Sequence, residues 1–142
     1  MAACSNEQQD RKPAQPAAQE APALERTPST PDARVFFITP EDGATVTSPV
    51  AVEFGMDGMA VVPAGDTAPA SGHHHILIDT GLPDLDLPVP NDDRHVHFGD
   101  GSSATQLTLP PGEHTLQLLF ADHLHIPHEP PVYSERITIT VE

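Results

Sequence analysis

Residues 115–121 and 133–141 read Thr-Leu-Gln-Leu-Leu-Phe-Ala and Tyr-Ser-Glu-Arg-Ile-Thr-Ile-Thr-Val, and their alternation decides the fold. Leu116, Leu118 and Phe120 fall on one side of an extended chain, as do Ile137, Ile139 and Val141, while Thr138 and Thr140 face the other way. A period of two marks a strand with one face against a core. Working outward, similar short runs recur at Arg34–Thr39, Val50–Met56, Met59–Val62, His74–Asp79, His95–Phe98 and Thr105–Leu109. Each is bounded by Pro, Gly, Asp or Asn, and the scattered prolines break every long candidate helix. Pro110-Pro111-Gly112 fits a tight turn into a late strand. Seven to eight short strands predict an all-β domain, an antiparallel β-sandwich with immunoglobulin-like or related Greek-key connections. Gly81–Arg94, with three prolines and four aspartates, reads as a loop, and its aspartates lack the regular spacing of a calcium loop.

The composition shifts near residue 33. Residues 5–33 hold five prolines, no aromatic residue, and Leu24 as the one side chain able to anchor a core, so residues 1–33 read as a linker behind a short start. Residues 34–142 contain all nine histidines and all five phenylalanines. They also hold sixteen acids against three arginines, a formal charge of −13 out of −15 for the whole chain. With one lysine and five arginines in 142 residues, nothing here could neutralise a phosphate backbone, which excludes nucleic acid as a partner. Direct attraction to an anionic bilayer is excluded on the same ground, and no apolar run reaches the roughly 18 residues that span a membrane.

Cys4 follows Met-Ala-Ala, small residues like those at the end of a bacterial lipoprotein signal. The reading is lipidation at Cys4, placing the protein in the periplasm or anchored to the outer membrane, with contact to the bilayer through that anchor alone. A cysteine that merely follows the start of an unlipidated chain is the alternative. One cysteine forms no disulfide framework.

The histidines carry what chemistry there is. Eight of the nine cluster as His73-His74-His75, His95-Val96-His97, and His123-Leu124-His125 with His128 three residues later. On a strand, residues i and i+2 share a face about 6.6–7 Å apart. His73 and His75 therefore form one imidazole pair and His95 and His97 another, while His74 shares the opposite face with Ile76 and Ile78. Neutral imidazole is the commonest metal ligand. With no thiolate at hand, copper and zinc, then nickel, are the ions it suits. Met56 and Met59 offer thioethers for Cu(I) or serve as core filler. The same histidines could instead hold loops through Asp79, Asp92, Asp93, Asp122 or Glu129, or form a pH-sensitive cluster. Glycine-rich phosphate loops, G-x-S-x-G and H-E-x-x-H are absent, so an enzyme is the minority reading.

Four motifs then point to a family. They are Gly72-His73-His74-His75-Ile76-Leu77-Ile78-Asp79, Arg94-His95-Val96-His97-Phe98-Gly99, Pro111–Leu118 and His125-Ile126-Pro127-His128-Glu129-Pro130-Pro131-Val132. In this order they resemble a bacterial family known as a domain of unknown function, number 4399, over about Val35 to Glu142. The resemblance implies a small exported or lipid-anchored domain and no particular activity. It implies family histidines at His73, His74, His75, His95, His97, His114, His125 and His128, with His123 as a departure. The expected metal ligands are His73, His75, His95, His97, His125 and His128, with His74 and His114 fixing the fold. The expected role is binding, delivery or buffering of a transition metal. An immunoglobulin-like interaction module with structural histidines and a metal-dependent envelope enzyme are the two other readings.

Overall fold

The computed structural model describes residues 26–142, so Cys4 and most of the expected linker lie outside the described residues. The described chain is all-β. Its strands are β1 (Arg34–Thr39), β2 (Thr45–Val46), β3 (Val50–Asp57), β4 (Ala60–Val61), β5 (Ser71–Ile78), β6 (His95–His97), β7 (Ala104–Leu107), β8 (Gly112–Ala121) and β9 (Ile137–Val141). They form two sheets. One has the order β1-β3-β7; the other runs β2-β9-β8-β5-β4, with β6 also pairing β5. Every pairing is antiparallel except two short ones, β2 with β9 and β4 with β5.

The alternating runs place the core as read from the sequence. Val35, Val50, Val52, Phe54 and Leu107 from the smaller sheet meet Ile76, Ile78, Leu116, Leu118, Phe120, Ile137, Ile139 and Val141 from the larger one in a single buried cluster. This is the sandwich interior, and each such side chain stabilises by about 1.5–3 kcal/mol through removal from water. Met56 and Met59 pack against the same cluster, which accounts for both thioethers as core filler.

Two details depart from the expected runs. Residues 40–49 contain β2, a two-residue strand too short to show a period. Tyr133–Arg136 do not continue β9. The segment meets β8 through a single antiparallel bridge, Leu119 with Tyr133, where the Ser134 N–H donates to the Leu118 carbonyl at 2.9 Å and the Ser134 hydroxyl accepts the Leu118 N–H at 2.9 Å. Contacts with the domain also begin earlier than residue 34. Pro28 bridges Glu129 in parallel, and Ser29 N–H donates to the Glu129 carbonyl at 3.1 Å.

β5 is the strand that matters for function. β8 pairs along one of its edges, while β4 and β6 share the other, and both its faces are covered, so all eight residues are buried. Ile76 and Ile78 point into the sandwich. On the far face, Leu77, Leu119 and Ala121 meet Val89 of the 81–94 loop in a second small cluster, with Leu85 against it. That loop, together with the turn after β8, roofs the outer side of the larger sheet.

Candidate metal centre

The roofed outer face is where the imidazoles meet. Because β5 alternates, His73 and His75 emerge on the same side as Leu77. The register of β6 sets His97 directly across from His75. The chain leaving β8 then turns back, and His125, at a positive φ of 64°, reaches the same place from the roof. Asp122 shapes that turn. Its Oδ1 accepts the N–H groups of Leu124 at 2.9 Å and Ile126 at 3.1 Å, and its carbonyl accepts His125 N–H at 2.9 Å. The His125 carbonyl accepts Val89 N–H at 2.7 Å, which ties the two roofing segments together.

The result is a cluster of His73, His75, His97 and His125 in which one ring nitrogen from each lies within 4.8 Å of the others. Four points so spaced fit inside a sphere of radius about 2.9 Å, against about 2.0–2.1 Å for a zinc–imidazole bond. Closing the gap takes less than 1 Å per ring by that comparison. The rings pack edge to face and stacked, with centroids 4.4 Å apart for His97 and His125, 4.7 Å for His73 and His75, and 4.8 Å for His73 and His97. The group can hold a metal ion.

The electrostatics agree with that use. Burial lowers the pKa of His73 to about 4, helped by the neighbouring His125 and His97. Burial takes His75 to about 2, with His73, His97 and His125 adding to it. His125 is lowered too, by burial and by His97. Near neutral pH these rings are uncharged and keep a lone pair for a cation. Their hydrogen bonding is incomplete. His73 Nε2 and His125 Nδ1 sit 2.9 Å apart and share one proton, whereas the Nδ1 atoms of His73 and His75 are buried without a partner. An orphaned buried polar atom costs about 1–3 kcal/mol.

The other expected ligands lie elsewhere. His95 shares the face of His97 but stands opposite Leu77, one pleat further along β5. Its Nδ1 is 2.6 Å from Asp92 Oδ1, three residues back in the turn that enters β6. His128 stacks on Phe120 with centroids 5.6 Å apart, and its Nε2 donates to the Ser71 carbonyl at 3.1 Å. Neither belongs to the group of four whose ring nitrogens meet. His114 bridges Asp79 Oδ2 and the Pro110 carbonyl, both at 2.7 Å, and so fixes the turn into β8. His74 points into the sandwich between Phe54 and Phe120, at 4.6 and 5.2 Å between centroids, with neither ring nitrogen bonded.

One contributor escaped the sequence reading because it bears no functional group. A Cβ built on Gly99 would lie 2.2 Å from His97 Nε2 and about 3 Å from two carbons of that ring. The imidazole occupies the space a side chain would fill. The signal was present as a glycine two residues after a candidate ligand, but glycines are common at strand ends, so position alone did not single it out.

Fold and site together define a small β-sandwich domain with a partly buried four-histidine cluster on the outer face of its larger sheet. The family follows from sequence comparison: the model for the domain of unknown function (DUF4399) matches residues 52–142, and the chain belongs to that family. No curated protein and no solved structure matches it.

Proposed function

We propose that this domain binds a transition metal, copper or zinc, through His73, His75, His97 and His125, and serves in metal binding, delivery or buffering in the cell envelope, held there by a lipid on Cys4. The observation that carries the metal reading is the convergence of four imidazoles on one point, with two of their buried nitrogens unpartnered. What separates this cluster from His74 and His128, which also keep unpartnered ring nitrogens, is convergence: here four imidazoles each bring a nitrogen within 4.8 Å of the others. An all-imidazole set without thiolate suits Zn(II) and Cu(II), and the general affinity order of divalent ions favours copper. The acidic surface supports cation capture by raising the local concentration of positive ions.

The test is metal analysis of untagged protein prepared without chelators, followed by competitive titration with Cu(II) and Zn(II). One ion per chain is expected, bound tighter than about 10 μM. His75→Ala and His97→Ala should abolish tight binding, while His95→Ala should leave it within about threefold, a difference below 1 kcal/mol. Failure of the unaltered protein to bind either ion at that level would refute the metal reading. Lipid on Cys4 is a separate question, answered by mass spectrometry of the membrane-extracted full-length protein.

A further inference from the structure

Residues 26–29 lie outside the part of the chain that the family model matches, yet they are tied to both segments roofing the histidine cluster. Arg26 is largely buried. Its guanidinium donates to the carbonyls of Pro127 at 3.2 Å and His128 at 2.5 Å, and pairs with Glu129 at 2.6 Å, all in the segment after β8. The same group reaches Asp86, in the 81–94 loop, at 3.2 Å. One side chain thus clamps the two covers together. The next residue acts closer to the site. Thr27 donates its hydroxyl to Asp122 Oδ2 at 3.2 Å, and its carbonyl accepts Glu129 N–H at 2.9 Å. The other oxygen of Asp122 holds the turn that presents His125.

A continuous chain of hydrogen bonds therefore runs from the strap at 26–29, through Asp122, to the backbone of the one cluster member that no strand fixes. We infer that Arg26 and Thr27 are positioning residues for the metal centre: they hold His125 ready over the three strand-borne imidazoles. The inference rests on the metal reading of that cluster and adds a regulatory consequence. Metal affinity depends on whether the strap is seated, so anything that lifts residues 26–29 from the domain loosens the fourth ligand. Groups that orient a metal ligand from behind are worth about 10–100-fold in affinity in metalloproteins generally.

The experiment uses the full chain with Arg26→Ala/Thr27→Val, Thr27→Val alone and Thr27→Ser. Two readouts are taken: Zn(II) and Cu(II) affinity by chelator competition, and amide hydrogen exchange of the metal-free protein at Leu124 and Ile126, whose N–H groups bond Asp122. The double variant should bind metal about tenfold more weakly and exchange those two amides about tenfold faster, with strand amides of β8 and β9 unchanged. Thr27→Ser, which keeps the hydroxyl, should match the unaltered protein in both. Affinity and exchange within twofold of the unaltered protein in the double variant would overturn the inference. If the unaltered protein binds neither metal, the metal reading falls, and the positioning of the His125 turn is still decided by the exchange data. Faster exchange without weaker binding would also overturn it, because the strap would then order the turn without serving the site.

Discussion

Replacing Gly99 with alanine adds one methyl group and removes no ligand, which makes it a sharp probe of the histidine cluster. The new Cβ would sit 2.2 Å from His97 Nε2. An ordinary carbon–nitrogen contact is about 3.5 Å, so the ring must retreat by roughly 1 Å. The neighbouring atoms His97 Cδ2 and Cε1, at 3.0 and 3.1 Å, show that the methyl would press on the ring broadly, and rotation in place offers little relief. His97 is half-buried at the margin of the cluster, so it can swing outward with little disturbance of the core. The cluster already needs most of an ångström of contraction to close on an ion, and a further ångström at one corner takes that ligand out of bonding range. The expected loss is about 10–100-fold in metal affinity, or roughly 1.4–2.7 kcal/mol. The assay is Zn(II) and Cu(II) competition against a chelator of known affinity, alongside thermal unfolding of the metal-free protein, which should shift by no more than a few degrees. A double-mutant cycle adds the decisive arm: in a His97→Ala background, Gly99→Ala should cost nothing further in affinity. Undiminished affinity in Gly99→Ala, or full additivity with His97→Ala, would refute the argument that this glycine exists to admit the imidazole.

Three further outcomes follow from the same geometry. His74→Leu should raise stability by about 1–2 kcal/mol, seen as a melting temperature several degrees higher, because it replaces a core imidazole whose nitrogens are both unpartnered; a lower melting temperature would show that the ring's contacts with Phe54 and Phe120 matter more. Gly72→Ala should destabilise by about 3 kcal/mol or prevent folding, since its Cβ would lie 2.3 Å from the Ala121 carbonyl, backbone that the β5–β8 ladder holds in place; a soluble variant with normal unfolding in denaturant would contradict this. Stability of the metal-free protein should fall on acidification. His73, His74 and His75 have folded-state pKa values of about 4, 4 and 2, all below the ordinary 6.5, so the unfolded chain binds more protons. Their contribution is complete above pH 6.5 and is lost progressively as pH falls toward those lower values, at up to about 1.4 kcal/mol per pH unit for each. His114 works in the opposite sense, since its bond to Asp79 raises its pKa, so its smaller contribution is lost as pH rises through that value. Denaturant unfolding between pH 8 and 5 should show the acid loss dominating, and a flat profile would argue against dry, neutral imidazoles.

Much of this was legible in the sequence because strand alternation is a local property. His73 and His75 against His74, and Leu116, Leu118 and Phe120 against Gln117, could be assigned to faces from spacing alone, and the core follows those assignments. What spacing cannot supply is register. His95 and His97 are equivalent by alternation; the antiparallel pairing that places His97 opposite His75, and His95 opposite Leu77, separates them. His125 and His128 are distinguished by the turn between β8 and their segment. Its shape depends on Asp122 accepting two backbone N–H groups and on a residue at positive φ, neither of which leaves a periodic trace. The strap was missed for a related reason. Arg26 and Thr27 sit in a stretch whose composition cannot build a core, and it seats on the domain by hydrogen bonds and ion pairs instead of apolar burial.

The formal charge of −13 on residues 34–142 poses a question that the fold answers. A strongly negative field raises imidazole pKa values, and protonated histidines do not bind metal. Among the cluster members that shift, the direction is downward, with burial first among the causes for His73, His75 and His125 and with Asp122 opposing it at His73 and His125. Desolvation wins although one acid, Asp122, is itself buried beside the cluster: its carboxylate accepts the N–H groups of Leu124 and Ile126 and the Thr27 hydroxyl, while Asp84, Asp86, Asp92 and Asp93 remain at the exposed surface of the roof. The two effects therefore divide by location. Carboxylates in water attract cations over about a Debye length, some 10 Å at moderate salt, and the imidazoles under the roof supply the lone pairs. Had the carboxylates entered the cluster, the site would be harder, with more oxygen and a preference for magnesium or calcium. Their exclusion leaves four nitrogen donors, the set that favours a transition metal over the more abundant hard cations the same surface must also attract.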